Sequence, residues 1–410
     1  MNVIYLDHNS TTPLLDEVAA AMREAQSRCF GNPSSQHQVG RRARQVLEHA
    51  RGEIGRMLGA QLTGRRADRV VLTSGGTEAN NLALLGLARL GDPRAEPGEA
   101  IVSAIEHPSI AGVADFLERR GWTIHRLGVS REGVVDVAAL DEVLTERTRF
   151  VSVMLANNET GIVQPVADVA RRCRALGVPM HTDAVQMIGK LPVNFRALGV
   201  DSLSVAAHKF HGPLGAGALV VRHELKIEPI LFGGFQQDAL RPGTESVALA
   251  VGMQVALAAW EREGEARSER IQALRDRLEA RIAASYGGRI VFNGAAVERT
   301  PHTSNMAFEG LERQALLMAL DQAGVACSTG SACASGSSEP STVLAAMGAS
   351  TDVLAGSLRF SLGATTTAAE VDEAIERIAR VAAKLLLGKP RHTDSIPPPP
   401  PNSAALTRRS

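Results

Sequence analysis

The sequence predicts an α/β architecture: a large domain built on a mostly parallel sheet covered on both faces, and a smaller α+β domain. Three observations predict it. Between residues 69 and 222, short apolar runs alternate with helix-patterned stretches, the βαβ rhythm that builds parallel sheets. Those runs end in polar residues of different chemical type, His107, Asn157, Asp183 and Lys209. A parallel topology gathers such residues at the carboxyl edge of the sheet, where ligands bind in open α/β folds. Beyond a long charged helical stretch, about 247–285, the pattern changes to short strands separated by helices.

Taken in order, residues 2–6 read as a strand that ends at Asp7, and Pro13 turns the chain away after a polar stretch. A helix over 16–27 follows, with Asp16 as its N-cap, then the turn-rich loop 30–35. Val46, Ala50, Ile54 and Leu58 recur at helical spacing, which predicts a helix over 40–58. Residues 69–73 are a strand, 74–77 a Gly-rich turn and 78–90 a helix. Strands are expected at 100–104, 150–155, 178–182, 203–207 and 218–222, with helices reaching 116 and covering 166–176. In the smaller domain, strands at 290–293, 304–307 and 357–361 alternate with helices at 312–323 and 368–387. The expected division is 15–260 for the large domain, with 1–14 and 261–387 forming the small one. The Pro-rich stretch 388–410 has little to bury and is expected to be disordered.

Composition excludes several classes of function. A chain of 410 residues can bury a sizeable core, and its 44 basic residues balance 44 acidic ones. With aromatics at 3%, neither an electrostatic footprint nor a stacking surface for nucleic acid is expected. The first fifteen residues lack a basic n-region and a long apolar core, and no apolar run is long enough to span a membrane. Four cysteines are too few for a disulfide framework in a chain of this length. A soluble cytoplasmic protein is therefore expected, without direct nucleic-acid or membrane binding.

The chemistry concentrates around SVAAHKFHGPLGAG, residues 204–217, where an apolar run delivers His208 and Lys209 into a glycine-rich loop. Alone, Lys209 reads equally as a solvated surface lysine or as an amine wanted for Schiff-base chemistry. The 74–77 turn, alone, is equally an ordinary βα turn or a phosphate cradle of free backbone N–H groups. Together the strand-end residues supply the parts that pyridoxal phosphate requires: an amine, a carboxylate for the pyridinium nitrogen and a phosphate site. In that arrangement Asp183 is the carboxylate, His107 stacks on the ring, and Gln186, three residues beyond Asp183, reaches the ring's phenolic oxygen. A Rossmann dehydrogenase lacks support, because no G-x-G-x-x-G opens the first βα turn with an acidic residue about 20 positions on. Zinc lacks it too: Cys327 and Cys333 have no matching His pair. Cys29, Cys173, Cys327, His37, His125, His181 and His211 are read as structural.

Ten stretches then carry a resemblance: YLDHNSTTP, FGNPSSQH, LTSGGTEANN, EHPS, ANNETG, HTDAVQ, AHKFHGP, RPGTES, TGSACASGSSEPS and LRFSLG, collinear from residue 5 to 363. On these the chain resembles the NifS/IscS-type cysteine desulfurases, fold-type-I pyridoxal phosphate enzymes related to class V aminotransferases. The resemblance implies a seven-stranded sheet and a homodimer. It also implies that L-cysteine is converted to alanine, with sulfur captured as a persulfide and passed to an acceptor protein of iron–sulfur assembly or thiolation. It assigns Lys209 to the Schiff base and to proton transfer at the substrate Cα. Asp183, Gln186 and His107 then contact the ring, with His107 also able to shuttle protons. Gly76, Thr77 and His208 contact the phosphate, with Thr244 contributed by the other subunit. Asn32, Asn157 and Arg359 hold the substrate, with Asn157 also contacting the cofactor, and Cys333 is the nucleophile in a loop of small residues at about 327–341.

The chain departs from the family pattern at Ala206 and Ala207, where a serine and a glycine are usual, and at Leu214, where a lysine is usual. The usual Gln-Glu-Arg-Gly of an interface loop reads Gln236-Gln237-Asp238-Ala239. Losing the serine removes one charge-assisted hydrogen bond to the cofactor phosphate, about 1.5–3 kcal/mol. Selenocysteine cleavage, transamination and a non-catalytic sulfur-relay role are the competing functions. The Cys333 loop argues against simple transamination.

Overall fold

The computed structural model describes residues 2–89, 96–287, 289–330 and 340–387. Its strands are β1 (Ile4–Tyr5), β2 (Arg69–Thr73), β3 (Glu99–Ser103), β4 (Thr123–Leu127), β5 (Thr148–Ser152) and β6 (Met180–Asp183). They continue with β7 (Ser202–Ala206), β8 (Gly217–Val221), β9 (Ile290–Phe292), β10 (Thr303–Phe308), β11 (Val325–Ala326) and β12 (Ser357–Ser361). Seven of them form one sheet in the order β2-β8-β7-β6-β5-β3-β4. The pairings of β3 with β4 and β5, β5 with β6, and β6 with β7 are parallel. Only β8 runs against its neighbours β2 and β7.

Alternation along the strands explains the double covering. Val70, Ile101, Val151, Leu203, Val205, Ala218 and Val220 enter one buried apolar cluster. Val71, Ala100, Val102, Phe150, Leu219 and Val221, their neighbours in sequence, enter another on the opposite face. A third cluster joins Ile4 and Leu6 to Leu278, Ile282, Met306, Phe308, Leu358, Phe360 and Ile378. It covers an antiparallel sheet of order β12-β10-β9 and the short parallel pair β1-β11. The helix Val247–Tyr286 runs between them, packing Met253 and Leu257 into the first cluster and Leu278 and Ile282 into the third.

Several elements differ from the sequence expectation. β4 was not expected: TIHRL is an edge strand with an exposed Thr123 and Arg126, so it has no continuous apolar run. The helix Val137–Val143 and the single turn Phe195–Leu198 were also not expected; both are too short to show a period. Helix Asp16–Arg28 is preceded by Leu15 at the N-cap, with no capping side chain, and Asp16 instead places its charge in the first turn. Strand β7 ends at Ala206, and Ala207–Lys209 forms a 3₁₀ turn. The 388–410 stretch lies outside the described residues. No helix among the described residues is long and apolar enough to cross a membrane.

Candidate active site

Four strand ends supply the site. After β2, Gly75 turns the chain into helix Gly76–Leu87 with φ +155°. A Cβ on Gly217 of β8 would lie 2.6 Å from the Gly75 Cα, so this turn rests on the neighbouring strand only because residue 217 is glycine, while Gly75 supplies the backbone angle. After β3, His107 caps helix Pro108–Glu118, its Nδ1 accepting from the Ser109 N–H at 3.1 Å. At the end of β6 the Asp183 carboxylate is held from both sides: Oδ1 accepts from the Val185 N–H at 2.9 Å, and Oδ2 from Asn80 Nδ2 at 2.7 Å. After β7, Lys209 Nζ donates to the carbonyls of Asn9 at 2.5 Å and Ser10 at 2.7 Å.

Arg359 arrives from β12. Its Nη2 bonds Asp7 Oδ1 at 2.7 Å and Ser10 Oγ at 2.9 Å, while its Nε is buried without a hydrogen-bond partner. Together these elements enclose a cavity of about 210 Å³, lined by Gly76, Thr77, His107, Asp183, Gln186, His208, Lys209 and Arg359 among others. A wider groove of about 890 Å³ lies on the surface between Arg51, Arg69 and Phe235, but no strand-end lysine or carboxylate of the first site lines it. The smaller cavity holds the chemistry.

Three other residues singled out in the sequence, Asn157, Asn32 and Thr244, lie elsewhere. Asn157 is buried beneath the cavity: its Nδ2 donates to the Ile105 carbonyl at 3.1 Å, and its Oδ1 accepts from the N–H groups of Glu159 and Thr160. Its neighbour Asn158 lines the cavity instead. Asn32 is exposed, with Oδ1 accepting from the Ser34 N–H at 2.9 Å. Thr244 lines a separate pocket with Ser74, Gly217 and Gln237. Cys333 lies outside the described residues.

Burial dominates the electrostatics. It lowers the His107 pKa against the pull of the Asp183 carboxylate, and lowers His208 to about 4 with help from Lys209 and Lys190. It also pushes Glu106, next to His107, up to about 8, even though the Ser103 hydroxyl and the Met154 N–H both donate to its Oε1. Lys190, buried behind the site, donates to the Lys209 carbonyl at 2.7 Å and is held well below its usual range by desolvation and then by Lys209.

The residues present fit pyridoxal phosphate. An amine, a fixed carboxylate and an open helix N-terminus face one cavity, and Gln186, on its wall, keeps a buried Oε1 without a partner. Such an acceptor suits a phenolic hydroxyl. Asn9, Ser10, Asn80 and Asn158 also line this cavity, and sequence reasoning gave them no role. Asn80 had a usable signal, since it is one helical turn beyond Gly76 and so shares its face. Asn9 and Ser10 had none in local pattern, because tertiary pairing, of β1 with β11 and of Asp7 with Ser361, brings the amino terminus here.

The chain matches the family model described as aminotransferase class-V over residues 4–374. It is 40% identical over 386 residues to the cysteine desulfurase IscS of Dictyoglomus turgidum, covering 93% of this chain and 95% of that protein. It is 37% identical over 401 residues to the cysteine desulfurase NifS of Azotobacter vinelandii, covering 98% of each. Among solved structures it is similar to the NifS-like protein of Rickettsia africae, with a TM-score of 0.84 at 30% identity, covering 93% of this chain and 100% of that one.

Proposed function

Since the chain belongs to the aminotransferase class-V family, we propose that it is a pyridoxal phosphate-dependent L-cysteine desulfurase that passes sulfur through Cys333 to an acceptor protein. The observation that carries this reading is the cavity in which Lys209, Asp183, His107 and Arg359 meet. When bound, pyridoxal 5′-phosphate supplies a protonated pyridine ring that accepts the electron pair released at the substrate Cα. Lys209 would hold it covalently and move the Cα proton. Asp183, fixed by Val185 and Asn80, would keep the ring nitrogen protonated. The N–H groups of Gly76 and Thr77 at the helix start, with His208, would take the phosphate. His107 would contact the ring, and its lowered pKa leaves a neutral imidazole that can accept or return a proton at pH 7.

Substrate binding falls to Arg359, whose buried Nε is a donor that a carboxylate can engage beside the Asp7 ion pair. The Cys333 thiolate then attacks the substrate sulfur. The Cβ–S bond breaks, an S–S bond forms, and Cβ takes a proton, so that cysteine becomes alanine and the enzyme thiol becomes a persulfide. The two electrons that reduce the carbon come from the sulfur pair, and no external oxidant is needed. Asn32 and Asn157 join this reading as substrate-side residues, Asn157 by shaping the turn that presents Asn158. A homodimer is part of it. Phe232 and Phe235 are 83% and 92% exposed, and Phe235 lines the broad groove together with Pro33 and Ser34 of the loop that carries Asn32. Thr244 faces a pocket that shares Gln237 and Glu245 with that groove, from where it would serve the partner's phosphate site.

The test is direct. Purified protein should bind pyridoxal phosphate, borohydride should fix it on Lys209, and L-cysteine with excess dithiothreitol to reduce the persulfide should yield alanine and sulfide in equal amounts. Transfer of the amino group to a keto acid without alanine from cysteine would overturn the assignment.

A further inference from the structure

Asn80 does more than steady Asp183. Alternation along β6 puts His181 and Asp183 on the same face of the sheet, and Asn80, from helix Gly76–Leu87, meets both. Asn80 is 1% exposed, and His181 is fully buried. The Asn80 amide nitrogen donates to Asp183 Oδ2 at 2.7 Å and to Ser109 Oγ at 2.8 Å, while its Oδ1 lies 3.1 Å from His181 Nε2. Ser109 Oγ in turn lies 2.8 Å from His107 Nδ1, and the Ser109 N–H donates to the same nitrogen. One amide thus bridges the carboxylate and the imidazole that face the cavity.

The direction of each bond follows from donor and acceptor chemistry. A carboxylate only accepts, so Asn80 turns its NH₂ to Asp183 and its oxygen to His181. His181 Nε2 then carries that ring's proton, with Ser204 Oγ a weaker second partner at 3.4 Å, and its Nδ1 accepts from Ser202 Oγ at 2.9 Å. The other N–H of Asn80 ends on Ser109 Oγ, which leaves the Ser109 hydroxyl proton for His107 Nδ1. With a backbone N–H and a hydroxyl both aimed at it, Nδ1 has no room for a proton of its own. We propose that Asn80 is a positioning residue that ties Asp183 to His107 and, through Ser109, fixes the proton of the neutral His107 ring on Nε2. The chemical consequence rests on the cofactor reading above: the ring meets a bound ligand as an N–H donor, and takes up a further proton only by giving up the Ser109 contacts. Burial lowers the His107 pKa, the Asp183 carboxylate pulls it up, and Lys209 pushes it down. Glu106, next in the chain, and His208 and Arg359, on the cavity wall, are the other ionisable groups around it. Burial also lowers His181 to about 3, so the ring that orients Asn80 stays neutral.

The experiment reads the ring nitrogens by nitrogen-15 magnetic resonance in histidine-labelled holoenzyme, with His107→Gln to assign the signals. In the wild type, His107 Nε2 should carry the proton and Nδ1 none from pH 6 to pH 8. In S109A, which loses the hydroxyl contact and keeps the backbone one, the pH at which Nδ1 takes a proton should rise by about one unit, a tenfold change in protonation. N80A should move it in the same direction, and S109T, which keeps the hydroxyl, should stay at the wild-type value. S109A carries the test if N80A does not fold. A proton on Nδ1 of the wild-type ring at pH 7, or a midpoint unchanged in S109A, overturns the proposal. Purified protein that binds no pyridoxal phosphate overturns the cofactor reading instead. The tautomer in that sample still decides the proposal, because every contact in the network lies within the chain.

Discussion

Ala206 ends β7 and lines the cavity next to Gly76; a Cβ on that glycine would come within 3.6 Å of the Ala206 Cβ. A hydroxyl at this position would reach toward whatever anion occupies the helix N-terminus. Ala206→Ser should therefore tighten pyridoxal phosphate binding by about 10- to 100-fold, the equivalent of about 1.5–3 kcal/mol, in titrations of the apoprotein. An unchanged dissociation constant would mean that the phosphate does not approach β7. Glu106 gives a pH prediction. Its folded pKa, about 8, lies above the ordinary carboxyl value of 4.5. Between the two values the unfolded chain releases a proton that the folded chain keeps, so this group's contribution to stability is full below pH 4.5 and is lost as pH rises through 8. Glu106→Gln keeps an acceptor for Ser103 and Met154 but cannot ionise. Its melting temperature should gain on the wild type steadily from pH 5 to pH 8, and a constant difference across that range would refute the assignment. At this scale the sequence was informative about charged and catalytic side chains, because their chemistry is distinctive. It was silent about Glu106, whose role depends on which groups surround it in the fold.

The segment Gln237–Ala239 shows what an element can hide. Gln237, Asp238 and Ala239 have φ of 51°, 58° and 59°, three successive residues in the left-handed region without a glycine. Gln237 repays part of that strain by pairing with the edge of the sheet: its Nε2 donates to the Leu72 carbonyl at 2.9 Å, and its Oε1 accepts from the Leu72 N–H at 2.7 Å. Ala239 makes no such side-chain bond possible. Ala239→Gly should raise stability by about 1 kcal/mol, read from denaturant midpoints, since the left-handed penalty for a residue with a Cβ is about 1–2 kcal/mol and glycine returns part of it as chain entropy. A loss of stability would show that the loop is not strained. Central strands were legible because strands buried on two faces are written as apolar runs: AIV in β3 and ALVV in β8. Two others were not: β4 is half exposed, and β11, two residues long, leaves no local signature.

For the whole molecule, the parallel sheet, the strand-end cavity and the class of cofactor could be read from the sequence, since topology alone carries His107, Asp183 and Lys209 to one edge. Arg359 was reached only through the family resemblance, and the approach of Asn9 and Ser10 not at all, because both depend on how β12 and the amino terminus pack against that edge. Self-association is the property of the whole that the exposed surface invites. Replacing both Phe232 and Phe235 by Asp should convert a dimer to a monomer in sedimentation experiments and weaken cofactor retention, if Thr244 serves the partner's site; a dimer unaffected by both changes would move the interface elsewhere. The central claim, that sulfur leaves cysteine through Cys333, is tested most directly by mass mapping after one turnover. Holoenzyme mixed with one equivalent of L-cysteine and quenched without reductant should carry a single added sulfur atom on the peptide containing Cys333, with one alanine formed per sulfur. Alanine formed at the wild-type rate with no sulfur on that peptide, or in the Cys333→Ser protein, would contradict it.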